Sequence, residues 1–203
     1  MGGIALLAGA ASALVSVGSI GCAARGHIAT PDELTRLQRT AGWSASGKIA
    51  IAGPKGRFSA RVVFGVARPD SLRIEIPAGA ELRFLLVCRN GSLRADFPAD
   101  DAMYEGPATP EVMNRLFGIE LDPADLVGAM LGAPSPASVR TRWRFERAAP
   151  AIFTLEGPNQ TRLTLTLHEA DLTVPSERAF EFAGPRSRIW TLAEMADRLG
   201  LRR

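Results

Sequence analysis

The sequence predicts a mainly β fold of the α+β class, with a strongly curved antiparallel sheet or open barrel joined to a few helices. Three observations carry this. Many segments alternate apolar and polar residues with period two, the mark of strands with one buried face. Tight turns rich in Gly, Pro and Asn separate them, so neighbours run antiparallel. Residues 109–131 change instead to helical spacing.

The chain opens on an apolar leader. Residues 1–21 carry no charged side chain, whereas charge appears at ordinary density from Arg25 onward. Such a stretch ending in small residues is the pattern of a secretory signal. Its end, Ser19-Ile20-Gly21-Cys22, resembles a lipobox, where lipoprotein signal peptidase cuts ahead of a diacylglyceryl-modified cysteine. Gly21 and Ile20 fit. Ser19 stands where Leu is usual, and no Lys or Arg precedes the leader, which points to an upstream start codon. Lipid attachment at Cys22 is the expectation. A transmembrane anchor and an ordinary cleaved signal are the alternatives. All three put the body of the protein outside the cytoplasm. Ala23, rather than Asp, leans toward the periplasmic face of the outer membrane. Three segments follow: a signal at 1–21, a tether linker at 22–31 and one domain at 32–203.

Thr30 can cap a helix that starts on Pro31 and runs to about Thr40. Strands come next. Trp43, Ala45, Gly47, Ile49 and Ile51 share a face, and Gly53-Pro54-Lys55-Gly56 turns the chain. Phe58, Ala60, Val62, Phe64 and Val66 return, followed by Leu72, Ile74 and Ile76. After Pro77-Ala78-Gly79, a further face holds Leu82, Phe84, Leu86 and Cys88. Asn90-Gly91 is a strong hairpin turn leading to Leu93, Ala95 and Phe97.

Thr109-Pro110-Glu111 opens a helix with Val112, Met113, Leu116 and Phe117. Asp122-Pro123 opens another with Leu126, Val127, Met130 and Leu131. Strands are then expected at Val139 to Phe145, Ile152 to Leu155, Thr161 to His168 and Arg178 to Phe182. Thr191-Leu192-Ala193-Glu194 is a capping box for a last helix carrying Met195, Ala196 and Leu199.

Charge argues against nucleic acid as a partner. The net charge is +3, and only Lys48 and Lys55 are lysines. Arg61, Arg73, Arg83, Arg94 and Arg142 alternate with apolar residues, as on the solvated outer face of a sheet, and no run of five or six like charges exists. A modest attraction to anionic lipid head groups is compatible with this pattern. Catalysis is not expected. His27 lies in the linker. His168 ends a strand with no Cys, Asp or Glu at ligand spacing before it, and its neighbour Glu169 points to the opposite side. No metal or cofactor site is expected. Of the two cysteines, Cys22 belongs to the leader. Cys88 then reads as a small buried hydrophobe.

From Trp43 to about Ala133 the chain resembles the LolB/LolA-like superfamily of periplasmic lipoprotein carriers and receptors. The residues that carry the resemblance are Trp43 ahead of a strand, a Phe-rich second strand, Leu72-Arg73-Ile74 and the Pro77-Ala78-Gly79 turn. Tyr104 before the helices and Leu131-Gly132-Ala133-Pro134 after them complete it. The resemblance implies an incomplete antiparallel β-barrel closed by a helical lid, with an apolar cavity for acyl chains. Ile49, Val62, Phe64, Leu72, Ile74, Leu82, Phe84 and Leu86 are then the cavity candidates, with Met113 and Met130 on the lid. The implied function is that of an outer-membrane lipoprotein taking part in lipoprotein localisation. Its partners would be lipoprotein acyl chains or lipid, and a periplasmic carrier. The sequence departs from the family at Ala78, where an exposed Leu usually serves as the membrane-facing hook. The alternative is a structural or regulatory envelope lipoprotein of the same fold, with a filled core, acting through protein contacts.

Overall fold

The computed structural model describes residues 36, 39–54, 56–131, 143–149, 152–182 and 184–199. The leader, Cys22 and the linker lie outside the described residues. So does most of the expected first helix, of which Arg36 and Arg39 are helical.

The fold is mainly β and belongs to the α+β class. Ten strands are described: β1 (Gly42–Gly53), β2 (Gly56–Ala67), β3 (Ser71–Ala78), β4 (Glu81–Arg89), β5 (Ser92–Phe97), β6 (Ala102–Pro107), β7 (Arg144–Ala149), β8 (Ile152–Glu156), β9 (Arg162–Asp171) and the two-residue β10 (Arg188–Ile189). Three helices accompany them: α1 (Pro110–Phe117), α2 (Pro123–Met130) and α3 (Leu192–Arg198). The strands form one sheet in the order β10-β6-β5-β4-β3-β2-β1-β9-β8-β7. All neighbours are antiparallel except β10, which runs parallel to β6. β7 and β10 are edges, so the sheet is open.

Local chemistry sets the turns and helix ends. Asn90 and Gly91 both have positive φ, 52° and 71°, as a two-residue type I′ loop demands. The next hairpin back is closed by Gly79-Ala80, with Gly79 at φ 66° and Ala78 paired to Glu81. Ala78 is therefore the last paired residue of β3 rather than the tip of the turn. Thr109 and Asp122 cap α1 and α2 through their side chains, and each helix has Pro at its first turn. Thr191 and Glu194 form a reciprocal capping box on α3.

One face of the sheet and the three helices enclose the main core. Trp43, Phe64, Leu72, Phe84, Leu86, Leu93 and Leu165 contribute from the strands, and Met113, Leu116, Val127 and Met195 from the helices. α2 lies against β2 and β3, α3 against β6, and α1 against α3. The Trp43 indole meets the Phe64 ring edge-on at 4.9 Å and stacks on Phe153 at 6.1 Å.

Part of the opposite face is covered as well, around Leu85 and Val87 of β4, which the alternation did not foretell. After β9 the described residues 173–182 and 184–187 cross the back of the sheet as a strap, before β10 joins the β6 edge. Phe180 is buried there against Leu85 and Val87, and Arg73 donates to the Ala179 carbonyl at 2.9 Å. This corrects three expectations. Arg178 to Phe182 is no strand: Glu177–Phe180 is a 3-10 turn, because the strap packs by one aromatic anchor instead of a ladder. Arg94 is not solvated but 5% exposed, buried beneath the strap. Leu82 does not share the face of Phe84 and Leu86. It packs with Leu85, Val87 and Phe180, since Ile76 pairs with Phe84 while Pro77 pairs with Leu82. That extra β4 residue breaks the period and turns Leu82 to the back.

Of the expected strand at Val139 to Phe145, 139–142 lie outside the described residues, Trp143 is not in a strand, and Arg144 and Phe145 open β7. β9 continues past His168 to Asp171, and His168 is the unpaired residue of a bulge opposite Ser46 and Gly47.

Candidate functional site

Two voids lie between the inner face of the sheet and the helices. The smaller, about 50 Å³, is lined by Ile49, Val62, Phe64, Leu72, Ile74, Leu126, Ala129, Met130, Phe153, Thr154, Leu155, Leu163 and Leu165. Except for Thr154 these are aliphatic or aromatic side chains. The larger, about 350 Å³, opens beside the β1–β2 hairpin. Its walls include Ile51 and Phe58 from the hairpin strands, Ile76 from β3, Phe117 and Gly118 from the end of α1, Trp143 and Leu199.

The strand period fixes how the voids relate. Ile49 and Ile51 are two residues apart on β1, and Ile74 and Ile76 two apart on β3, so each pair points to one face. The inner void touches the first of each pair and the outer void the second. The voids thus lie end to end along the strands, offset by one two-residue step of about 7 Å. All four isoleucines are half-buried and pack against the main core. Trp143 closes one wall of the outer void. Its indole lies so near Gly157 that a Cβ there would meet the ring at 2.5 Å. Gly157 is thus required by close approach rather than by its backbone angles.

At the rim the outer void meets Arg57, Asn114 and Glu120. Arg57 and Glu120 are exposed and of opposite sign, so the mouth carries no strong field of either sign.

Of the residues expected to line a cavity, Ile49, Val62, Phe64, Leu72, Ile74 and Met130 come together around the inner void. Phe84, Leu86 and Met113 line neither void and are buried in the packed core. Phe84 lies 5.1 Å from the Phe97 ring and 6.4 Å from the Phe117 ring. Leu82 is on the back of the sheet. Ala78 is exposed at the end of the β3–β4 hairpin. Ile51 and Ile76 were legible as the next inward residues of their strands. Trp143 and Leu199 gave no pattern that would bring them to the outer void.

Cys88 faces the core beside Leu72, its β3 partner. Burial, reinforced by the negative charges of Asp70 and Asp122, pushes its thiol up to about 12. A thiol so held is neutral and inert. Among the described residues no group of His, Cys, Asp and Glu is placed to hold a metal ion, and no helix is long and apolar enough to cross a membrane.

In comparisons with known proteins, no family model matches the chain and no curated protein matches it.

Proposed function

We propose that this chain is an outer-membrane lipoprotein of LolB type, tethered by a lipid on Cys22, that binds acyl chains and takes part in lipoprotein localisation. In this reading the open sheet is an incomplete barrel and the helices are its lid. Acyl chains enter between them, delivered by a periplasmic carrier. The observation that carries the reading is the pair of voids that follow one another along β1 and β3, the inner one apolar and the outer one apolar with a polar rim.

The energetics favour an occupant. An apolar void of about 50 Å³ left empty costs roughly 1 kcal/mol in lost packing. Each methylene moved from water into such a space contributes about 0.8 kcal/mol, so a chain binds without polar readout. Met130, unbranched and adaptable, lines the inner void and suits a ligand of variable length.

A second reading has its own observation. Phe84, Phe97 and Phe117 fill the β4–β5 side of the inner face, as in a protein that works through surface contacts. Native mass spectrometry of the mature protein, purified with its bound lipids, separates the two. A copurifying lipid supports the acyl-binding reading. A protein that is dry, and that also fails to bind a lipoprotein, supports the structural one.

A further inference from the structure

We infer that the free edge of β2 beside the outer void is a strand-addition site, and that its occupant is the peptide following the acylated cysteine of a cargo lipoprotein. This rests on the acyl-binding reading above and adds the polypeptide part of the cargo to it.

The edge is a notch in the sheet. β2 pairs with β1 along its whole length, from Gly56 to Ala67. With β3 it pairs only from Val63 to Ala67, opposite Glu75 to Ser71. Toward the hairpin ends the two strands part. Among the described residues Gly56–Val62 has no partner on its β3 side, and Ile76, Pro77 and Ala78 are paired with β4 alone. Backbone groups alternate in direction along a strand, so every second residue of this stretch turns its N–H and C=O into the notch. Arg57, Phe58, Ser59 and Arg61 are exposed, and no other described backbone bonds to this edge. A free edge of this kind is a template for another chain. The stretch has no proline and no bulge to blunt it.

The occupant follows from what adjoins the edge and what the edge repels. Phe58 and Ile76, on the two sides of the notch, both line the outer void, together with Gly56 and Arg57. An acyl chain in that void is joined through the cysteine to a peptide, which leaves the protein at this rim, where the void opens. An extended peptide leaving there meets the unpaired amides and carbonyls of β2 at once. Main-chain pairing supplies affinity without reading side chains, which suits a receptor whose cargoes differ in sequence. A second copy of this chain fits poorly. Two β2 edges paired antiparallel about Ser59 would bring Arg57 of each opposite Arg61 of the other, with Lys48 beside Arg61 on the same face. Like charges directly opposite one another in a sheet are destabilising.

The test uses protein lacking residues 1–22, which carries neither the leader nor an acyl chain of its own. Displacement of bound cis-parinaric acid is followed with three probes that share one triacylated cysteine. The first ends there as a methyl amide. The second continues as Ser-Ser-Asn-Ser-Ala. The third is the second with its peptide amides N-methylated. The second probe should bind at least about tenfold more tightly than the first, and the third should lose that gain. Hydrogen exchange read by mass spectrometry should slow over residues 57–62 with the second probe and not with the first. Equal binding of the first and second, a gain that survives N-methylation, or unchanged exchange over 57–62 overturns the strand-addition inference and leaves the acyl-binding reading standing. Failure of all three probes, and of cis-parinaric acid itself, overturns both. Exchange over 57–62 that slows with rising protein concentration in the absence of any probe assigns the edge to a second copy, and overturns the inference as well.

Discussion

Asp96 is buried on the back of the sheet at 1% exposure and accepts hydrogen bonds from Arg94 on the same strand, through Nε at 3.2 Å and Nη2 at 3.0 Å. Arg186 on the strap reaches the same Oδ1 at 3.4 Å, and Arg94 Nη2 also donates to the Gly184 carbonyl. One carboxylate therefore joins β5 to the end of the strap. Removing one member of a buried pair leaves the other charge uncompensated. Asp96→Ala is expected to lower stability by about 3–5 kcal/mol. Arg186→Ala, whose side chain is 24% exposed, should cost at most about 1 kcal/mol. Urea unfolding of both variants checks this. Equal, small losses would mean that the strap is not held by this cluster.

A charge on the inner face separates filled core from ligand space. Phe84 is 2% exposed and enclosed by Phe97 and Phe117, so Phe84→Glu places a carboxylate where nothing compensates it, a cost of several kcal/mol. That variant should unfold. Ile51→Glu, at the half-buried wall of the outer void, should stay folded and lose binding of a fluorescent fatty acid. Circular dichroism and probe titration read the two outcomes. A folded Phe84→Glu with unchanged binding would contradict this account of the β4 face.

Much of this was legible in the sequence because the signals were local. Period-two alternation found β1 to β3, Asn90-Gly91 fixed a hairpin, and Thr109, Asp122 and the Thr191/Glu194 box marked helix starts within a residue. The strap escaped because it is held by few, distant contacts: Phe180 in a slot, and Arg73, Arg89 and Arg94 bonded across the sheet. One signal did announce it. Phe84 to Cys88 is a continuous apolar run, as in a strand buried on both faces. Assigning only its even-numbered residues to the core left Leu85 and Val87 without a cover. Leu82 was misplaced by a bulge, which period counting does not detect. The inner void was partly legible, as six of its lining residues sat on the expected faces. The outer void was not, because Trp143 and Leu199 arrive from distant segments.

Lipid attachment has a direct test. Cys22→Ser is expected to abolish metabolic labelling with a palmitate analogue and to leave an unprocessed precursor on a gel. Labelling or processing that persists in the variant would end the lipoprotein reading, and with it the outer-membrane tether.

Cys88 gives a pH prediction. In a chain carrying Cys22→Ser it is the sole thiol, and it should resist alkylation at pH 8 until the protein is unfolded. The folded thiol, pushed up to about 12, keeps its proton well above its ordinary 9.0. Its contribution to stability is therefore complete below 9.0 and is lost as pH rises toward about 12. Cys88→Ala should lack that part of the alkaline decline. Urea midpoints measured for both proteins across this window check the difference. Parallel pH profiles would show that the thiol does not titrate with folding.

The end of the β3–β4 hairpin tests the membrane side of the proposed function. Residues 77–81 are exposed there, with Ala78 paired to Glu81 across a tight loop that needs the positive φ of Gly79. A methyl group at Ala78 offers the bilayer little apolar surface. A Leu in its place adds roughly 1.5–3 kcal/mol of transferable surface if it inserts fully. It replaces an exposed strand residue without touching the loop angles, so the fold should be unchanged. Ala78→Leu, in protein lacking both the apolar leader and Cys22 (residues 1–22), is therefore expected to raise cosedimentation with liposomes while leaving the urea midpoint where it was. Glu81 opposes this by holding a charge next to the new side chain, so Ala78→Leu with Glu81→Gln should bind more strongly still. If neither variant gains liposome binding over its parent, the hairpin does not meet the bilayer. The receptor-like reading then lacks an insertion step, and a carrier or structural role takes precedence.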